Sequence, residues 1–334
     1  MRTKQINCAI IGYGGAFNMG LHHSHSINAV EGMQVVAVCD IDKARTKQAE
    51  VDLPGIRTFN DVKELLKDDG VDLCVVILPH NLHAEVAVQC SKAGKHVVVE
   101  KPMCITVKEA TAMIEAGKKA SKVVTIFHNR RHDGDFKALR DAVRKGLIGD
   151  VFHVEMWGGG YHKPGTWWRS FKDISGGAFY DWGAHYLDWL LHIIPEKIDY
   201  VTGHFHKLKW NEVTNEDHVE AIIRFRNGAV ANVQQSTLAA VGKPRWRVLG
   251  TEGAIVDEGG SFKLYTFKDG IPVQGTIAYQ DSDWAAFYRN LGDHLLRGGD
   301  LEVKPEEARR VIAIMECAEK SSETGKAVKV PYED

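Results

Sequence analysis

The first forty residues constrain the fold most. Ile6-Asn-Cys-Ala-Ile-Ile11 is a short apolar run rich in β-branched residues, the profile of a strand buried on both faces. It leads straight into Gly12-Tyr-Gly-Gly-Ala-Phe-Asn-Met-Gly20 and then a helix-like stretch from Leu21 to Val30. A second strand, Met33 to Cys39, ends on Asp40. Strand, glycine loop, helix, strand and terminal acid follow one another as in a Rossmann βαβ unit. In such a unit glycines let the backbone approach a pyrophosphate, the helix N-terminus carries partial positive charge, and the acid accepts ribose hydroxyls.

The match has departures. Gly12 and Gly14 fit the first two positions of G-x-G-x-x-G, but Phe17 stands at the third, and Gly15 and Gly20 are extra. Asp40 lies 28 residues after Gly12, beyond the usual spacing of about 20, which predicts an extended loop.

The alternation continues. Arg57 to Asn60 reads as a short strand or loop and Asp61 to Asp68 as a helix. Val71 to Leu78 is a buried strand closed by Pro79, and Leu82 to Ala93 a helix with Gly94 past its end. His96 to Val99 is a strand closing on Glu100-Lys101-Pro102. Val107 to Ser121 is helical and Val123 to Phe127 a sixth strand. Strands alternating with helices predict a doubly wound parallel sheet, with ligands at the carboxyl ends of its strands. Pro79, Asn81, Glu100, Lys101 and Asn129 sit at such ends.

After about residue 150 the pattern changes. Phe152 to Trp157, His218 to Phe225, Ala229 to Gln235 and Arg245 to Leu249 alternate, and Asn227-Gly228 marks a tight hairpin. A largely antiparallel sheet with one open face follows. Two amphipathic helices, Trp284 to Leu296 and Pro305 to Ser322, close the chain and could pack on either part. At 334 residues the chain is long for one core, so two domains are expected, 1–128 and 129–334.

Composition narrows the function classes. A net charge of −2 offers no broad basic surface for nucleic acid or for an anionic membrane, and no run of 18 apolar residues occurs. Six scattered cysteines without C-x-x-C, and no leader-like start, point to reduced thiols and a cytoplasmic location. His22, His23 and His25 do not make a metal site, because neighbours along a helix point apart and no partner has zinc spacing. No metal is expected.

Two motifs carry chemistry. Lys101, bracketed by Glu100 and Pro102 at a strand end, can hydrogen-bond a substrate hydroxyl or exchange its proton, or be a simple exposed lysine. Asp181 and His185 stand four apart in an apolar helical pattern that runs to Ile194, where a carboxylate can orient an imidazole. Alone, such a pair is more often a surface hydrogen bond. Asp188 is an accessory candidate one turn on. Trp157, Tyr161, His162, Trp167, Trp168 and Arg169 precede that helix and suit either sugar C–H faces and hydroxyls or core packing.

Pro79-His-Asn-Leu-His-Ala-Glu85, Glu100-Lys-Pro102, Asn129-Arg-Arg131, Trp168-Arg169 and Gly176-Gly-Ala with Asp181-x-x-x-His185 occur in that order. With the N-terminal unit, the whole chain resembles the glucose–fructose oxidoreductase / inositol dehydrogenase / rhizopine catabolism (Gfo/Idh/MocA) family. The resemblance implies an N-terminal NAD(P)-binding domain. It also implies a C-terminal α/β domain that binds substrate and whose open antiparallel sheet forms the oligomer interface. It further implies reversible hydride transfer between a nicotinamide and a sugar, glycoside or cyclitol. By motif position, Lys101, Asp181 and His185 would be catalytic. His185 would act as base and Lys101 would polarise the oxygen, or the two would exchange roles. Asp181 would orient its neighbours or bind substrate. Gly12, Gly14, Gly15, Ala16, Phe17, Asp40, Pro79, Asn81, His83, Glu100, Lys101, Asn129 and Trp168 would line the cofactor. Tyr161, His162, Trp167 and Arg169 would meet substrate.

Asp40 favours NAD over NADP, since a 2′-phosphate would meet like charge. Two other functions compatible with these motifs are an enzyme that retains NAD and oxidises a sugar transiently for elimination or glycoside cleavage, and a cofactor-binding sensor without turnover. Net reduced nicotinamide with substrate separates the first reading from both. A homodimer or homotetramer is expected through the open sheet, with Thr202, His204, His206, Gln234 and Ser236 mixed among Val201, Phe205, Val233 and Leu238 on its face.

Overall fold

The computed structural model describes residues 5–14 and 17–333. The chain divides into two compact units, Met1–His128 with Ala285–Arg309, and Asn129–Trp284 with Arg310–Asp334.

The first unit is built on six parallel strands: β1 (Ile6–Ile11), β2 (Met33–Cys39), β3 (Arg57–Phe59), β4 (Leu73–Val76), β5 (His96–Val99) and β6 (Val124–Ile126). Their order is β3-β2-β1-β4-β5-β6. Between them run α1 (Met19–Asn28), α2 (Lys43–Asp52), α3 (Val62–Leu66), α4 (His80–Lys92) and α5 (Val107–Ala120). This is the expected doubly wound sheet. Its strand order reverses between β1 and β4, and that switch point opens a crevice at the carboxyl ends of those strands. The β4 residues are wholly buried, as the continuous apolar run Leu73-Cys-Val-Val76 requires. Helix α2 was hidden from a periodicity reading. Its sequence, Lys-Ala-Arg-Thr-Lys-Gln-Ala-Glu-Val-Asp, has no apolar stripe, and it is started by the Asp42 side chain accepting from Ala44 N.

In the second unit α6 (Gly134–Arg144) leads to β7 (Val151–Gly159), and a short α7 (Lys172–Ser175) precedes α8 (Phe179–Ile193). The remaining strands are β8 (Ile198–His206), β9 (His218–Phe225), β10 (Val230–Ser236), β11 (Trp246–Gly250), β12 (Gly253–Asp257), β13 (Ser261–Lys268) and β14 (Ile271–Ala278). The eight strands lie in the order β14-β13-β12-β11-β7-β10-β9-β8. All pairs are antiparallel except β7 with β10. The Asn227-Gly228 hairpin forms as expected, with Gly228 at φ +94°. The sheet continues past Leu249 through β12 to β14, whose half-exposed, weakly patterned strands gave little periodic signal.

One sheet face is covered by α8 and by aromatic rings: Trp189 stacks between Phe136 of α6 and Trp246 of β11, at 5.7 and 5.6 Å between centroids. The other face presents a row in register across the strands, Thr202, Ile222, Asn232, Glu155, Arg247 and Val256. The mixed face expected from sequence is corrected here. Thr202, His204 and Gln234 are on the open side, with Ser236 in the same alternation though buried, but Val201 and Val233 are buried on the other. Phe205 packs edge-on against Phe179. Side chains alternate with a period of two, so adjacent residues such as Val201 and Thr202 cannot share a face.

Helix α9 (Ala286–Arg297) belongs to the first unit, where Phe287, Tyr288 and Leu291 join a buried cluster with Ile10, Val38, Val75 and Phe127. Helix α10 (Pro305–Thr324) starts in the first unit and continues in the second. There Gly203 of β8 lets it approach: a Cβ at that glycine would lie 1.9 Å from the Ala318 carbonyl oxygen.

Candidate active site

The glycine loop starts where β1 ends. Gly12 has φ +95°, and a Cβ there would come within 2.0 Å of the Ile77 carbonyl oxygen, so only glycine fits. Gly14 is exposed with open space beyond its Cα. The Asp40 carboxylate closes the loop, with Oδ2 accepting from Tyr13 N at 2.7 Å and Oδ1 from Asp42 N at 2.9 Å. It stays half-exposed, so lone pairs remain for a ribose. Gly20 is not extra: a Cβ there would strike the Tyr13 ring at 2.5 Å, so it supplies the close packing that a third fingerprint glycine gives. Phe17 is exposed just before α1, whose N-cap, Asn18, is left-handed and makes no side-chain cap. Gly15 and Ala16 lie outside the described residues. A backbone cradle, a helix start without a side-chain cap and a terminal acid together fit a dinucleotide.

The Glu100-Lys101-Pro102 turn is held from behind. Glu100 Oε2 accepts from Lys101 N at 3.0 Å, and Oε1 lies 3.0 Å from His23 Nε2. His23 Nδ1 lies 2.6 Å from the Tyr288 hydroxyl, and both His23 and Tyr288 are fully buried. Burial works against the Glu100 charge, but the His23 hydrogen bond, aided by Lys101, holds its carboxyl below the ordinary range. With that carboxylate ionised, Nε2 is the donor toward Glu100. Burial keeps the Tyr288 phenol well above its usual pKa, hence protonated. The Lys101–Pro102 peptide is cis, and the Lys101 side chain is half-exposed.

Pro79 is the N-cap of α4 at the end of β4, and Asn81 is exposed on its first turn. His83 is corrected. It is fully buried, with Nδ1 2.8 Å from Pro102 O and Nε2 2.8 Å from Leu78 O, so it ties two loops together and cannot line a cofactor. Its place on the helix face turned inward explains the error. The histidine cluster also resolves, since His23 is buried while His22 and His25 are not. Among the described residues no group of three side chains is placed to hold a metal.

In the second unit α8 borders a cleft of about 1100 Å³. Asp181 lines it and pairs with Arg169, 2.8 Å from Nη1 to Oδ1. The Arg169 guanidinium also lies over the rings of Trp168 and Trp167, at 4.9 and 5.4 Å. His162 lines the cleft, whereas exposed Tyr161 bonds Lys209. Asn129 opens a short 3₁₀ turn. His185 is buried, packed against Trp182 and Trp189, with centroids 5.6 and 6.1 Å away. Asp188 is corrected from accessory group to structural anchor. It accepts from Arg131 Nε at 2.9 Å and Nη2 at 2.6 Å, and both residues are buried. Sequence reasoning missed Gln235, Tyr186 and Asp217 on the cleft; Asp217 and Gln235 sit at strand ends, where no spacing signals them, and Tyr186 is on α8 one residue past His185.

Two family models match the chain. Residues 6–128 match the GFO_IDH_MocA oxidoreductase family, NAD-binding Rossmann fold, and residues 136–256 its GFO/IDH/MocA C-terminal domain. The chain belongs to this oxidoreductase family. A myo-inositol 2-dehydrogenase of Thermotoga maritima is 27% identical, over 96% of this chain and 98% of its own. An NADP(+)-dependent scyllo-inositol 2-dehydrogenase of Bacillus subtilis is 23% identical, over 99% and 98%. An NAD-binding protein of Listeria innocua superposes with a TM-score of 0.87 at 28% identity, covering 98% of this chain and 97% of that one. Among the described residues no helix is long and apolar enough to cross a membrane.

Proposed function

We propose that the protein is an NAD-dependent dehydrogenase acting on a hydroxyl carbon of a cyclitol, sugar or glycoside. The observation that carries this reading is the Glu100-Lys101 turn, in which a largely covered carboxylate pinned by His23 fixes the backbone of a lysine at the end of a parallel strand. Two inositol dehydrogenases among its relatives support the substrate class. The Gly12 loop, the start of α1 and Asp40 would hold the dinucleotide, and the Pro79–Asn81 and Glu100–Lys101 strand ends would flank it, with Asn129 and Trp168 as further candidates. When bound, the nicotinamide supplies the hydride acceptor. The Lys101 ammonium donates a hydrogen bond to the reacting oxygen and favours its deprotonation. His185 accepts the hydroxyl proton, in the first assignment of roles. Asp181, held by Arg169, binds substrate hydroxyls or orients its neighbours.

Asp40 gives NAD preference, since its half-free carboxylate would repel a 2′-phosphate. The open sheet face joins two copies, and a dimer or dimer of dimers is the assembly proposed. Fluorescence titration of the purified protein with NAD and NADP tests the cofactor assignment, and NAD is expected to bind more tightly. Binding of neither nucleotide would refute the reading. Light scattering tests the assembly, and a 37.2 kDa species alone would defeat it.

A further inference from the structure

The cleft of the second unit is long as well as large. Its lining follows the ends of neighbouring strands: Asp217 ahead of β9, Gln235 at the end of β10, Gly158 and Gly159 at the end of β7. It continues past Arg245 ahead of β11 and Asp257 at the end of β12 to Gly260 ahead of β13. These six strands are consecutive in the sheet. With neighbours ~4.8 Å apart, five gaps span ~24 Å, several times the width of a pyranose or cyclitol ring.

The candidate substrate-binding end lies toward β9. Helix α8 begins there, with Ala178 N donating to Glu216 Oε2 at 2.9 Å, and it carries Asp181. Nothing assigned so far uses the rest of the groove. At its middle Gly158 admits the Tyr186 hydroxyl, since a Cβ there would lie 2.0 Å from that oxygen, and so sets a second polar group on the groove wall. Beside Gly158 in register stands Gln235, whose Oε1 is buried without a hydrogen-bond partner among the described residues. A buried amide oxygen without a donor costs free energy that a ligand hydroxyl would recover. Trp157 and Tyr279 add aromatic surface, and the Tyr279 hydroxyl bonds Asp257 at the far end. Four of the lining carboxylates, Asp135, Asp181, Glu216 and Asp217, are ion-paired with Arg245, Arg169, Lys172 and Lys207, so the lining carries no excess of cations for a phosphorylated or acidic sugar and suits neutral, hydroxyl-rich rings.

Resting on the dehydrogenase reading, we propose that the substrate is a neutral carbohydrate of two or more rings. The ring to be oxidised lies at the Asp181 end, and the attached ring runs past Gly158 and Gln235 toward Asp257 and Tyr279. Single cyclitols and hexoses fill only one end of this groove.

The test is calorimetric titration and steady-state turnover of the NAD-loaded full-length protein. The probes are glucose, galactose, myo-inositol, glucose 6-phosphate, and α- and β-linked disaccharides of glucose and galactose. At least one disaccharide is expected to bind about tenfold more tightly than its constituent ring, the yield of one or two well-placed hydrogen bonds. Glucose 6-phosphate is expected to bind less well than glucose. Tyr279→Ala should reduce the disaccharide-to-monosaccharide ratio of kcat/KM by about tenfold. Glu258→Trp, in the exposed β12–β13 turn, should do the same by obstruction if the tyrosine variant does not fold. Disaccharides binding no more tightly than single rings, in a protein that oxidises single rings, would overturn the proposal and leave the dehydrogenase reading intact. Tight disaccharide binding without nicotinamide reduction would support the extended groove and overturn that reading. Absence of any carbohydrate binding would overturn both.

Discussion

Replacing His23 with alanine perturbs the support of the lysine turn most directly. His23 joins the buried Tyr288 hydroxyl at 2.6 Å to the Glu100 carboxylate at 3.0 Å, and its ring packs 4.3 Å from that of Phe127. The bond to ionised Glu100 contributes about 1.5–3 kcal/mol and the tyrosine bond about 1 kcal/mol. Leaving Glu100 Oε1 without its partner, with an imidazole-sized gap, brings the expected loss to about 3–5 kcal/mol. At about 2–4 °C per kcal/mol for a unit of this size, Tm should fall by about 6–20 °C. Tyr288→Phe should cost only about 1 kcal/mol, because His23 still reaches Glu100.

The assay is urea unfolding followed by circular dichroism, in a cycle of His23→Ala and Glu100→Gln. The coupling should exceed about 1 kcal/mol at pH 7. The Glu100 carboxyl is held below its unfolded value, so its contribution is complete above the ordinary carboxylate range and disappears as the pH falls through the lowered value. The gap between wild type and Glu100→Gln should therefore close on acidification. Additivity of the two substitutions within about 0.5 kcal/mol would refute the reasoning.

Asp188→Ala should destabilise by about 3–5 kcal/mol by removing two charge-assisted hydrogen bonds from the buried Arg131 guanidinium; chemical unfolding of the variant beside the wild type decides it. Lys101→Ala and His185→Ala should each lower turnover by about 10²–10⁴, with cofactor affinity little changed in the histidine variant, and wild-type turnover in either would remove that residue from the mechanism. Asp181→Asn should be intermediate in the same assay. Asp40→Ser should narrow the preference for NAD over NADP, measured by fluorescence titration, because the repelling charge is gone.

Much of the first unit could be read in the chain because its signals are local. Val97–Val99 is apolar throughout and lies between Gly94 and Pro102, and Gly12 is constrained by the turn it makes. The roles of Gly20, His23 and His83 were not readable, since each depends on what folds against it: the Tyr13 ring, a tyrosine 265 residues away, and two carbonyl oxygens. Spacing put Asp181 and Asp188 on one helix but could not tell that Asp181 faces a cleft beside Arg169 while Asp188 binds a buried guanidinium. The alternation of β8 and β10 marked a two-faced sheet, yet which face α8 would cover was a tertiary fact.

The central claim is net oxidation of a ring hydroxyl by a nicotinamide. The most direct measurement follows NAD absorbance and carbohydrate product together, for the purified protein with a panel of inositols, sugars and glycosides. The account predicts reduced nicotinamide and oxidised ring accumulating one for one, with both lost in Lys101→Ala. Product formed without net reduced nicotinamide, or tight nucleotide binding with turnover of nothing in the panel, would contradict it.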